Sequence, residues 1–145
     1  MERVYLDTCV WCRLFDVLDH KKIRDEFRAV SKLIDAAREG KISVVKSEVI
    51  FYEISKIETE ERNTVEKLVD EIAAEEIKTT GKTKKIYENI AEECGLKAVD
   101  ALHIALAIEN KIDVFLTTDD EILNRRRCVE KHGIVVKNPT EYEVE

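Results

Sequence analysis

Four acids in this chain, Asp7, Glu53, Asp100 and Asp119, stand where carboxylates can support metal-assisted chemistry. Asp7 ends the apolar run Val4-Tyr5-Leu6, and Asp119 ends Val114-Phe115-Leu116-Thr117-Thr118. Apolar runs that break abruptly into polar residues read as buried parallel strands leaving a sheet. Ligands of open α/β sheets bind just beyond the carboxyl ends of such strands, so both acids are expected to face one crevice. Asp100 interrupts the otherwise apolar stretch from Ala98 to Ala107. Glu53 borders the apolar face of a helix that starts directly after a strand, four residues beyond Val49. Burying an ionised carboxylate without a partner is expensive, so several acids with no evident cationic partner point to a metal ion. Oxygen donors without histidine or cysteine favour Mg²⁺ or Mn²⁺ over zinc. Such a cation lowers the pKa of a bound water and neutralises charge on an attacked phosphate.

The elements that must position these acids alternate between strands and helices. Residues 2–7 read as a strand, 9–18 as a helix, and 23–39 as a long helix closed by Gly40. A short strand follows at 42–45, and Ser47 is placed to cap a helix running to about Ile57. Helices are expected over 60–75 and 82–94, with an extended piece near 76–79, a break at Gly81 and a stop at Gly95. The Asp100 helix runs to about Asn110. Residues 114–116 form a strand, 119–131 a helix and 134–136 a last strand. This alternation means βαβ units, hence a parallel sheet covered on both faces.

A chain of 145 residues, 44% hydrophobic and 38% charged, fits a single globular domain over residues 1–145 with a heavily ionised surface. No apolar run reaches the roughly 18 residues of a membrane span, and no secretory signal opens the chain. A cytoplasmic protein is expected. The net charge of −7 weighs against broad nucleic-acid binding. Basic clusters at Lys21-Lys22-Arg24, Lys82-Lys84-Lys85 and Arg125-Arg126-Arg127 read mostly as solvated helix faces. Cys9, Cys12, Cys94 and Cys128 make a poor disulfide framework and read as small reduced core residues. Cys9 and Cys12 match the CxxC redox spacing, but the only proline is Pro139, and no further ligand pair completes a zinc site.

Taken in order, Tyr5-Leu6-Asp7-Thr8, Ser47 to Glu53, Val99-Asp100-Ala101-Leu102-His103-Ile104-Ala105 and Leu116-Thr117-Thr118-Asp119 resemble the four acidic motifs of the PIN domain family. The resemblance covers essentially the whole chain and is nearest to the small VapC-type toxin ribonucleases. It implies a three-layer α/β/α sandwich around a parallel sheet of four to five strands. It also implies a Mg²⁺- or Mn²⁺-dependent endoribonuclease that hydrolyses RNA phosphodiesters with an activated water. A homodimer and an antitoxin partner that blocks the site belong to the same expectation. Carried over residue by residue, Asp7, Glu53, Asp100 and Asp119 form the catalytic and metal-binding set. Thr8 and Thr117 match hydroxyl positions that orient acids or waters. Cys9 stands where Ser or Asn is common. Asp120 doubles the last acid, and the Thr-x-Asp spacing from Thr117 favours Asp119.

Each residue also has a plainer role. Asp7 and Asp119 can serve as helix N-caps, Asp100 as a first-turn acid favoured by the helix dipole, and Glu53 as a solvated border residue. His103, three residues past Asp100 on the same face, is placed to assist proton transfer or contact RNA, but reads first as a satisfied histidine at a helix edge or dimer seam. Tyr52 and Trp11 read as packing residues before base-stacking ones. The alternative function is a non-catalytic PIN-like module that binds RNA or protein. A small-molecule phosphohydrolase would need a Gly-rich phosphate loop, which this sequence does not contain.

Overall fold

The computed structural model describes residues 1–144. Five parallel strands form one sheet in the order β3-β2-β1-β4-β5. They are β1 (Glu2–Leu6), β2 (Ile42–Ser47), β3 (Glu75–Ile77), β4 (Val114–Leu116) and β5 (Val135–Lys137). The three-layer α/β/α architecture is as expected. The chain builds outward from β1 to β2 and β3, then returns to lay β4 and β5 on the other side. The order therefore reverses between β1 and β4, and that is where an open sheet opens a crevice.

The central strands are apolar on both faces, as a doubly covered parallel sheet demands. Val4, Tyr5 and Leu6 of β1 and Phe115 and Leu116 of β4 are fully enclosed or nearly so. Tyr5 lies in register with Val45 and Phe115 and is covered by the helix at Ala98–Glu109, here α6. On α6 pack α5 (Gly81–Cys94) and α3 (Glu48–Ser55). A long α2 (Lys21–Arg38) packs against β2, and α4 (Glu61–Ile72) contacts both α2 and α3. The remaining helices are short: α1 (Thr8–Cys12), α7 (Asp120–Asn124) and α8 (Arg126–Glu130). No helix among the described residues is long and apolar enough to cross a membrane.

Several local expectations hold. Ser47 caps α3 by accepting from the Ile50 amide at 3.3 Å, and Gly40 and Gly95 take left-handed φ angles of 73° and 65° at helix ends. Others do not. The helix expected over 9–18 stops at Cys12 and tightens into a 3₁₀ turn at Arg13–Phe15. Asp16 is extended and ion-paired to Arg13 at 2.6 Å, which leaves Val17 and Leu18 out of the apolar stripe and exposed. The helix expected over 119–131 is split into α7 and α8 at Arg125, whose backbone (φ −107°, ψ 9°) leaves the helical region. The helix expected from residue 82 begins one residue earlier, at Gly81, because Thr80 caps α5 together with Thr83.

The cysteines require a correction. Cys94 and Cys128 form a disulfide across 34 residues, so only Cys9 and Cys12 are free. The end of α5 and the middle of α8 meet in the fold, and no local spacing announces that meeting. The free pair does not suit thiol redox chemistry, which needs a lowered pKa. Burial pushes Cys9 up to about 12 and Cys12 up to about 11, with nearby carboxylates adding to the effect.

Candidate active site

The crevice between the ends of β1 and β4 gathers acids from four elements. Asp7 follows β1, and its amide still bonds the Leu116 carbonyl of β4 at 2.9 Å. Asp7 is buried, and its side chain caps α1, accepting from the Thr8 amide at 2.8 Å. The other carboxylate oxygen accepts from Thr117 Oγ1 at 2.8 Å. Thr117 in turn accepts from the Asp119 amide at 3.0 Å, so one buried hydroxyl fixes both strand-end acids. Thr8 donates to Glu53 Oε1 at 2.6 Å, which ties α3 to the end of β1. Asp100 stands in the first turn of α6, and Asp119 caps α7 by accepting from the Glu121 amide at 2.8 Å.

The donor atoms fall into two sets. One oxygen each from Asp7 and Glu53, with a ring nitrogen of His103, all lie within 4.8 Å of one another. So do oxygens of Asp100, Asp119 and Glu121. The sets are electrostatically joined, because Asp100 feels both Asp7 and Asp119. Of the four acids expected from the sequence, Asp7 and Glu53 thus meet in one set, and Asp100 and Asp119 in the other. Asp120 does not join them: its exposed carboxylate pairs with Lys22 Nζ at 3.0 Å.

Crowding shows in the acidities. Burial, then the Asp7 and Asp119 charges, push the Asp100 carboxyl up to about 6. Burial also raises Asp7, against the pull of His103 and the Thr117 hydroxyl. Glu53 goes the other way. Burial would raise it, but hydrogen bonds from His103 and Thr8 outweigh burial and hold it below the usual range. Burial would lower His103, but the bond to Glu53 and the Asp7 charge lift it above the usual histidine range. Lys97 reaches Glu121 at 3.2 Å and feels Asp100 and Asp119. An excess of inward-facing hard oxygen donors fits a divalent cation of the Mg²⁺ or Mn²⁺ type.

Glu121, in the first turn of α7, was not singled out from the sequence; its spacing two residues past Asp119 is the available signal. His103 sits neither at an edge nor at a seam, since it is fully enclosed beneath Asp7 and Glu53. Of the aromatic residues, Trp11 is buried in the core as expected. Tyr52 is 54% exposed, with Lys56 Nζ 4.4 Å over its ring.

Residues 4–127 match the family model of the PIN domain. No curated protein sequence matches the chain. Similar solved structures include FitAB bound to an IR36 DNA fragment, with a TM-score of 0.64 at 15% identity, covering 97% of both chains. FitAcB from Neisseria gonorrhoeae gives 0.63 at 14% identity, covering 96% of this chain and 99% of that one. VapBC2 from Rickettsia felis, bound to a DNA fragment from their promoter, gives 0.62 at 15%, covering 94% and 98%. At such identities the likeness is one of fold.

Proposed function

The chain belongs to the PIN domain family, and on that premise we propose that it is a Mg²⁺- or Mn²⁺-dependent endoribonuclease. The observation that carries the proposal is the pairing of Asp7 with Glu53 and of Asp100 with Asp119, two sets within electrostatic reach of each other near the switch point of the sheet. Asp7 and Glu53 would hold a cation from one side, and Asp100 and Asp119, joined by Glu121, from the other. When bound, the cation supplies a more acidic water and neutralises charge on the attacked phosphate. The protein supplies position. Thr117 locks Asp7 and the start of the Asp119 turn, and Thr8 locks Glu53. Asp119 is assigned ahead of Asp120 because only Asp119 is tied into this network, whereas Asp120 faces Lys22. Lys97 stands at the rim and is the cation best placed to meet an RNA phosphate.

The resemblance to VapC-type toxins supports a role as the toxin of a toxin–antitoxin pair. A cytoplasmic setting, a homodimer and an antitoxin that occludes the crevice are parts of the same proposal. The test is cleavage of a structured, mixed-sequence RNA with and without Mn²⁺, by the wild-type chain and by Asp7→Asn. Metal-dependent cuts should fall by more than about 100-fold in the variant, beyond the usual loss on removing an outer-shell partner. Equal cutting by both proteins would refute the assignment. Tight Mn²⁺ binding with no cutting would favour a binding module.

A further inference from the structure

Beneath Asp7 and Glu53 runs a chain of polar side chains drawn from three elements. Ser47 Oγ at the end of β2 lies 2.7 Å from Tyr5 Oη of β1. Tyr5 Oη lies 2.6 Å from His103 Nδ1 of α6. His103 Nε2 is hydrogen-bonded to Glu53 Oε1 and stands 3.7 Å from Asp7 Oδ1. Ser47, Tyr5 and His103 all have 0% exposure. The Tyr5 ring is stacked on Phe115 at 5.4 Å and meets the His103 ring edge-on at 5.6 Å. Ser47 is also the cap of α3, the helix that carries Glu53.

We propose that His103 is a positioning residue: the Ser47–Tyr5–His103 chain holds Glu53 beside Asp7 as a preformed pair of carboxylates for a divalent cation. The identity of the bound cation rests on the function proposed above; the positioning does not depend on RNA cleavage. A half-buried glutamate has rotamer freedom that must be lost when it binds a ligand. Here that freedom is removed beforehand. The bonds from Thr8 and His103 both fall on Oε1, which leaves Oε2 as the oxygen for a ligand among the described residues. The imidazole is itself immobilised, because its second nitrogen is held by Tyr5 and Tyr5 is held by Ser47. His103 is not assigned as a ligand, since its ring is wholly enclosed and its Nε2 is committed to Glu53.

Buried polar groups cost stability unless every partner is present. A polar chain that spans two strands and a helix and ends on an acid of the crevice has a use in orienting that acid. Outer-shell partners of this kind are worth about 10- to 100-fold in metal affinity.

The experiment measures Mn²⁺ binding by calorimetry and electron paramagnetic resonance, without RNA, on the wild type, Tyr5→Phe, His103→Leu and His103→Gln, alongside thermal melts. Tyr5→Phe keeps the ring stacked on Phe115 and removes only the hydroxyl, so it carries the test if His103→Leu does not fold. Tyr5→Phe and His103→Leu should each weaken Mn²⁺ binding by about 10- to 100-fold. His103→Gln, whose amide nitrogen reaches the Nε2 position, should recover most of the loss. Unchanged Mn²⁺ affinity in folded Tyr5→Phe and His103→Leu would overturn the proposal and leave His103 as packing. Imidazole nitrogen coupling in the wild-type Mn²⁺ spectrum would overturn it too, by making His103 a ligand. A wild type that shows these affinity changes but cuts no RNA would sustain the positioning role and sink the nuclease function. A wild type that binds no Mn²⁺ would sink both.

Discussion

Asp100 is half-buried in the first turn of α6, and its carboxyl is pushed up to about 6 by burial and by the Asp7 and Asp119 charges. In the unfolded chain an aspartate loses its proton near pH 4. Between about pH 4 and 6 the unfolded state therefore releases this proton first, and metal-free native protein loses stability as pH rises through that window. Asp100→Asn removes the penalty. After discounting for solvent screening, the gain is on the order of 1 kcal/mol, or about 3 °C in melting temperature. Melts in a chelator should place the variant above wild type at pH 8 and level with it at pH 4. Its Mn²⁺ binding should be weaker. Identical melts at both pH values would show that Asp100 does not feel its neighbours. The acids themselves were legible in the sequence because strand ends and an acid inside an apolar run are one-dimensional signals. His103 was legible as a residue on the Asp100 face, but not its full enclosure beneath the acids. Its burial depends on Tyr5 and Ser47, which lie 98 and 56 positions earlier in the chain.

The disulfide acts on whole elements. Cys94 ends α5, just before the loop that leads to Asp100, and Cys128 lies in α8, which follows the α7 turn carrying Asp119 and Glu121. The bond thus staples together the two segments that supply one of the donor sets. Closing a loop of 34 residues should stabilise by about 3 to 4 kcal/mol in the chain-entropy account, or roughly 10 °C. Melts with and without dithiothreitol should show that drop, and Cys94→Ser should reproduce it without reductant. A reductant-insensitive melt would mean that the two thiols are unpaired. Nothing in the sequence announced this pairing, because two cysteines 34 residues apart carry no local pattern. The elements with sustained helical periodicity, such as α2, α5 and α6, were legible to within a few residues. The misses at α1 and α7–α8 came where single arginines, Arg13 and Arg125, mark a break that hydrophobic spacing does not record.

Across the whole molecule, a net charge of −7 must be reconciled with the polyanionic substrate proposed above. The cations nearest the crevice are few and already engaged. Lys97 pairs with Glu121, Lys22 with Asp120, Arg125 Nη1 bonds the Glu121 carbonyl at 3.2 Å, and Lys56, whose charge reaches Glu53, lies over the Tyr52 ring. A bound divalent cation would release Lys97 by taking over Glu121, so local charge, and not a basic face, would draw the phosphate in. Four rim cations at about 0.7 counterions per phosphate contact limit the salt dependence of the affinity for single-stranded RNA to a log–log slope of about −3. The salt dependence of 1/KM for a short single-stranded RNA, measured from low to high KCl at fixed Mn²⁺, checks this limit. A slope near −3 or shallower fits recognition confined to the crevice and its rim. A slope of −4 or steeper would require further phosphate contacts. Lys82, Lys84 and Lys85, all exposed on α5, are the cluster able to supply them, and replacing those three with glutamine should then bring the slope back.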